Sequence, residues 1–552
     1  TVRLIVTGGD DRIGFVQRAT SGWAAFFLAA TMALLLTVSV ATGLDLMGQG
    51  GSGGSCGGGG GAPRRHDGNG ELAEPLMQHA EGAVPAPAAA AALVVAPATT
   101  PYRGGSTSMT LTAVISDKLK VLSLCRNLPK LLASPGRAGP TDCLNGMRVV
   151  SMIWIILGHT MMMPAPINGY DNPEDLLARW GARGSMWFQL VIGGEIAVDS
   201  FFYLSGFLMA YLGVKDLERR GGKIPVLRMV AHRYVRITPA FAATLVFYSE
   251  IASRVGDGPF FIRFQRSIFR RCDKMWWSEL LYLHNFLPFD SDKVCMGWSW
   301  YLGNDFIFFL CSPAILLLHH HCPRTMWLAM AGVAAASFVL TFWLVVHHGG
   351  GLYIFGDTYT NYSLHAYSKP YCRIPAYLVG MAFGFINERW ISDETRQPKL
   401  SPTTRACYLS AAAVGLLACV FVPLSDYRDA ESWPPWANGL FLTFSRPVWA
   451  ASLGVITTGC TLGKLPKLNA FLASPRWIPL ARLTFGAYLM HPVVIKWFAG
   501  TATASYHFSM HYVASSALFN TVCAFALAAV LWLVVERPVM NVESELRGSR
   551  RL

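Results

Sequence analysis

Residues 142–163 read DCLNGMRVVSMIWIILGHTMMM, and this stretch decides the class of fold. From Met147 onward it is apolar and close to the length of a bilayer-crossing helix, because about twenty residues at ~1.5 Å each cover the hydrocarbon layer. Arg148 and His159 are the ionisable side chains inside it, eleven positions apart. At 100° per residue that spacing puts both on one helix face, separated by roughly 16 Å along the axis. An ionisable group inside a span is costly to bury and turns toward the bundle interior or a cavity, so both residues mark function. The plain alternative for His159 is a structural hydrogen bond to a neighbouring helix.

Nine comparable stretches follow, at 188–213, 237–252, 302–318, 326–346, 374–388, 407–424, 440–462, 482–499 and 514–535. An eleventh, at 23–43, stands apart near the start. The predicted fold class is therefore all-α, a polytopic membrane helix bundle of about ten core transmembrane helices plus one preceding span. Composition agrees: hydrophobic residues make up 53% of the 552-residue chain and charged residues only 14%, against about 45–50% and about 25% in soluble domains. The net charge of +13 would suggest nucleic acid in a soluble protein. Here the cations cluster between apolar runs, which fits loops facing anionic lipid and gives no reason to expect a nucleic-acid partner.

The chain opens on Thr1 and not on Met, so it reads as a fragment that lacks its natural N-terminus. The span 23–43 lacks a clean small-residue cleavage site and reads as an anchor, not a signal peptide. Residues 44–141 are Gly-, Ala- and Pro-rich and read as a disordered cytoplasmic linker. The main domain covers 142–540, and 541–552 is a basic tail. Basic loops at 214–236, 389–406 and 463–476 fall on one face by span parity, and that face is expected to be cytoplasmic. Loop 253–301 is the exception, long and basic on the opposite side. That side also carries the sequon Asn361-Tyr362-Ser363, so Asn361 is the expected glycosylation site. Cys272 and Cys295 share the outer loop, where an oxidising compartment permits a bridge worth about 3 kcal/mol; Cys372 is the rival partner.

The second core span carries Glu195 and Asp199 just before Phe202-Tyr203-Leu204-Ser205-Gly206-Phe207. Either acid could orient His159 or pair with arginines. Arg233 and Arg236 share a helix face at the cytoplasmic edge, suited to a phosphorylated ligand or to interfacial anchoring. Asp305 follows the aromatic run Trp298-Ser299-Trp300-Tyr301 into the bundle. In the ninth span, His491 precedes Pro492, which is expected to disrupt the helix and mark a cavity. The cluster His319-His320-His321-Cys322 is too tightly spaced for a metal site, and none is expected.

Taken in order, Arg148/His159, Phe202–Phe207, Arg233/Arg236/Pro239, Tyr488-Leu489-Met490-His491-Pro492 and Glu536-Arg537-Pro538 resemble the pattern of the acyltransferase-3 family of membrane proteins. The wording around Cys143–Arg148 and Tyr301–Phe306 is similar to the animal subgroup called nose resistant to fluoxetine proteins, which implies that residues 1–22 are the remnant of an extracellular N-terminal region. The resemblance implies O-acyl transfer from a cytoplasmic donor, with acyl-CoA as co-substrate and no bound cofactor. The acceptor would be the hydroxyl of a membrane lipid or other small molecule. Arg148, Arg233 and Arg236 would hold the donor, and His159 would serve as general base because imidazole titrates near neutrality. Asp199 or Asp305 would set the His159 tautomer, and His491 would complete the site. The subgroup's association with lipid uptake makes a transporter of the same fold the alternative reading. The plasma membrane and the endoplasmic reticulum are equally compatible with this topology.

Overall fold

Long apolar helices joined by short connections build the protein, and the computed structural model describes residues 22–50, 120, 122–134, 139–178, 182–289 and 293–549. In chain order the longer helices are α1 (Gly22–Gly50), α2 (Leu124–Leu132), α3 (Cys143–Met162), α4 (Met186–Ile192), α5 (Ala197–Arg219), α6 (Val226–Val246), α7 (Phe261–Leu280) and α8 (Trp300–His321). They continue as α9 (Pro323–His347), α10 (Pro370–Ser392), α11 (Pro402–Phe421), α12 (Pro435–Thr461), α13 (Trp477–Gly500), α14 (Met510–Leu531) and α15 (Arg537–Ser549). Among the described residues, seven helices are long and apolar enough to cross a membrane. The chain is an all-helical integral membrane bundle.

Nine of the ten expected core spans each coincide with a helix, and the other, 188–213, is divided between α4 and α5. Three of those helices, α3, α6 and α10, fall outside the seven because ionisable side chains interrupt their apolar runs, among them Arg148, Arg233 and Arg373. Arg233 and Arg373 find acid partners inside the bundle, and Arg148 lines a cavity within it. By contrast, only 22% of the apolar windows of α9 and α11 is buried, which puts those helices at the lipid-facing rim. The α5 window is 78% buried and that of α13 72%, so both run through the centre.

The tightest packing is between α5 and α10, and glycine makes it possible. A Cβ on Gly206 would run into the Tyr377 carbonyl, and one on Gly380 into the Tyr203 carbonyl. Small residues at a helix crossing let backbones approach closely, which matters in a bilayer, where no hydrophobic force drives helices together. The expected single span 188–213 is in fact broken. Residues Gly193–Glu195 form a 3-10 turn between α4 and α5, and Gly194 sits against the Trp154 carbonyl and Gly158 of α3. That contact lies one residue before His159.

Helices reach into two of the expected segments. The linker 44–141 was read as disordered, but α1 continues to Gly50 and α2 is a docked helix at the linker's far end. Buried Asp45 accepts hydrogen bonds from Ser123 Oγ at 2.9 Å and Arg126 Nε at 3.0 Å. Arg482 Nη1 donates to the carbonyls of Lys130, Leu131 and Ala133 at 2.7–2.8 Å, which caps the C-terminal end of α2. These partners lie far away in sequence, so composition could not show them. The expected tail from 541 is also helical, because α15 runs to Ser549 and Asn541 bonds Asn127 at 3.1 Å. Residues 1–21 and the Gly/Ala/Pro-rich body of the linker lie outside the described residues.

Candidate active site

A cavity of about 640 Å³ opens beside the basic loops and runs into the bundle. Arg148 (α3), Arg233 and Arg236 (α6), Asp305 (α8), Arg482 (α13) and Arg537 (α15) line it together with Glu536. Sequence reasoning had placed Arg148, Arg233 and Arg236 in one donor site, and the structure brings them to one cavity. Glu536 ends a π-helical turn, Trp532–Glu536, that joins α14 to α15. Glu536 and Arg537 of the Glu536-Arg537-Pro538 motif thereby become cavity wall and not merely a surface terminus. Pockets of roughly 300–1,000 Å³ suit small ligands and cofactors.

The cations differ in how they are held. Arg233 forms an ion pair with Asp305 and stacks over Phe309 at 4.3 Å. Arg482 is bonded to the α2 carbonyls. Arg148 is half-buried, and among the described residues no carboxylate pairs with it. A guanidinium at a cavity wall without an acid partner is suited to bidentate capture of a phosphate. The deep wall turns apolar and aromatic, with Ile155, Val198, Phe201, Tyr301 and Tyr488.

His159 and His491 meet just beyond that wall. Ile155 lies four residues before His159, and Tyr488 three before His491, about one helical turn in each case. His159 Nδ1 lies 2.7 Å from His491 Nε2, with the two ring planes 5° apart. His491 is fully buried, and its Nδ1 lies 3.0 Å from the Ala487 carbonyl. A carbonyl oxygen can only accept, so His491 Nδ1 carries the proton. In the neutral ring Nε2 is then an acceptor, and His159 Nδ1 must be the donor. The proton chain leaves His159 Nε2 with a lone pair and no protein partner among the described residues. The expected helix disruption at Pro492 is absent, because α13 continues through it to Gly500. Pro492 lacks the N–H that would bond the Tyr488 carbonyl, so the local effect is one lost backbone bond.

Of the two readings of the acids, orienting His159 or pairing with arginines, the contacts are with arginines. Asp199 is fully buried and accepts from Arg373 Nη1 at 2.8 Å, with Arg446 Nε at 3.6 Å. Glu195 faces Arg446 at 3.7 Å and the Tyr362 hydroxyl at 3.4 Å. Asp305 belongs to Arg233. Both candidate orienting acids are thus committed to arginines, and the side chain that contacts His159 is His491. Sequence reasoning missed Arg373 and Arg446 as partners, although both are arginines inside apolar runs and the cost of burying them was the available signal. On the far side from the basic loops, Asn361 is exposed. Cys272 and Cys295 are joined as a disulfide, and Cys372 is a buried free thiol.

The bundle and its cavity define a membrane-embedded protein with a polar site at its centre. Residues 141–536 match an acyltransferase domain, and the chain belongs to the acyltransferase-3 family. The chain is similar to the nose resistant to fluoxetine protein 6 of Caenorhabditis elegans, 26% identical over 457 residues. That match covers 78% of this chain and 54% of the worm protein, so the chain spans about half of that relative's length. The regulator of hypoxia-inducible factor 1 of the same organism is 24% identical over 458 residues, 77% of this chain and 84% of that one. No solved structure matches the chain.

Proposed function

We propose that this protein transfers an acyl group from acyl-CoA, bound in the basic cavity, to the hydroxyl of a lipid or other small acceptor. The observation that carries this reading is the proton chain from His159 through His491 to the Ala487 carbonyl. It holds His159 in the tautomer whose Nε2 can accept a proton. An acceptor hydroxyl gives its proton to that nitrogen as its oxygen bonds to the thioester carbonyl carbon. The C–S bond then breaks, and the departing thiolate takes the proton back from the imidazolium. Atoms and charge balance without a metal or redox partner.

Arg148 and Arg236 would hold the donor's phosphates at the mouth of the cavity, with the thioester reaching inward along α3. The roughly 16 Å from Arg148 to His159 matches a ligand whose charged end and reacting end are far apart. The ion-pair network of Asp199, Arg373, Arg446 and Glu195 has no step in this chemistry, and it is the feature that favours the transporter alternative.

The test is incubation of the purified chain with labelled acyl-CoA and a hydroxyl acceptor. Wild type should form an ester and free thiol, and folded His159→Gln should lose roughly 100-fold or more in turnover, the scale of a lost general base. Full turnover in folded His159→Gln would end the assignment. Absence of transfer together with lipid movement across vesicles would favour transport.

A further inference from the structure

Lys496 lies on α13 five residues past His491, about 7–8 Å further from the basic cavity along the helix axis. Its ammonium stands 4.5 Å from the centre of the Trp298 ring and 6.0 Å from that of Tyr248. It is close enough for its charge to act on both His159 and His491. Arg271, half-buried on α7 beside the Cys272–Cys295 bridge, is a second cation near enough to act on Lys496.

Among the described residues no carboxylate pairs with either cation. The acids nearby have other partners: Glu250 binds Arg254 at 2.7 Å, and Glu279 accepts from Ser299 Oγ and the Met296 N–H. Cation–π contact offsets only part of the cost of withdrawing an ammonium from water. An ammonium held over aromatic rings with no acid partner, and with the charge of Arg271 added to its own, is suited to an anion, and Lys496 lies across the histidine pair from the basic cavity. The double positive charge matches a phosphate better than a carboxylate.

We propose that Lys496 and Arg271 bind a phosphate on the acceptor, so that the acceptor is a phosphate ester carrying a free hydroxyl a few bonds away. This rests on the acyl-transfer reading above. The phosphate is anchored at Lys496 while the hydroxyl reaches His159 Nε2. The hydroxyl loses its proton there and becomes the ester oxygen, and the phosphate is unchanged. The same chemistry occurs in a lysophospholipid within the bilayer and in a small phosphate ester free in water.

The full chain is purified and its binding of lysophosphatidate, glycerol 3-phosphate and neutral monoacylglycerol is measured without donor. At least one of the phosphate-bearing probes should bind at least tenfold tighter than monoacylglycerol. Lys496→Gln should abolish that preference, Lys496→Arg should restore it, and Arg271→Gln should reduce it. Tight binding of lysophosphatidate but not glycerol 3-phosphate identifies the lipid source, and equal binding identifies the soluble one. With labelled acyl-CoA, the kcat/KM ratio for the preferred phosphate ester over monoacylglycerol should fall at least tenfold in Lys496→Gln. Equal binding of charged and neutral probes by wild type, or a preference that survives Lys496→Gln, overturns the proposal. Acyl transfer without preference leaves the acyltransferase reading standing and removes this one. A Lys496-dependent preference without any transfer leaves a phosphate site at Lys496 and overturns both the acyl-transfer reading and the acceptor role that rests on it.

Discussion

His491 donates its Nδ1 proton to the carbonyl of Ala487, one turn earlier on the same helix, and therefore accepts at Nε2 from His159 Nδ1 at 2.7 Å. The neighbouring ring, not a carboxylate, sets the tautomer of His159. A neutral orienter adds no charge to a buried site, whereas a carboxylate there would itself have to be paired.

His491→Phe keeps a planar ring but removes the acceptor, so His159 is free to adopt either tautomer. Turnover should fall by roughly 10- to 100-fold, somewhat less than for loss of the base itself. His491→Gln offers an amide oxygen and should recover part of the loss. Because the rings act as a unit, the double variant His159→Gln/His491→Phe should be no slower than His159→Gln alone. Steady-state kinetics on the four proteins decide this, and additive losses would contradict the relay.

Arg148→Ala should weaken donor binding before it affects chemistry. A charge-assisted hydrogen bond is worth about 1.5–3 kcal/mol, so the dissociation constant for coenzyme A should rise by roughly 10- to 100-fold. Arg148→Lys should lie between, since it keeps the charge and loses the fork geometry. Direct titration with coenzyme A checks this, and unchanged binding in Arg148→Ala would place the donor elsewhere.

Arg373 and Asp199 form an ion pair with both side chains fully buried. Removing one partner strands a charge, so Arg373→Met or Asp199→Asn should each cost about 3–5 kcal/mol. Removing both together should cost less than the sum, which a double-variant cycle on thermal or denaturant unfolding in detergent would reveal. Strict additivity would mean that the pair is not energetically coupled.

Asn361 and the Cys272–Cys295 pair both belong to the face opposite the basic loops, and both require a lumenal or extracellular setting. Glycosidase should shift wild type on a gel and leave Asn361→Gln unmoved. Mass spectrometry without reduction should link Cys272 to Cys295. Protease cleavage of loop 214–236 from outside intact cells would invert the whole arrangement.

Much of this was legible in the chain. Apolar runs of about twenty residues can be satisfied in a bilayer only as helices, since every backbone polar group must find its partner within the segment. The periodicity around Arg148 and His159 placed one at the cavity and the other beyond its deep end, because a continuous helix converts spacing directly into distance. Pairing between helices was another matter. Asp199, Asp305 and Glu195 were correctly expected to face inward, yet nothing local distinguishes an acid that orients a histidine from one that neutralises an arginine. Arg373 lies 174 positions from Asp199, and His491 lies 332 positions from His159. Those distances close only when α5 settles against α10 and α13 against α3. The docking of α2 and the isolation of Lys496 have the same origin, for each depends on which side chains distant helices bring, or fail to bring, within hydrogen-bonding range.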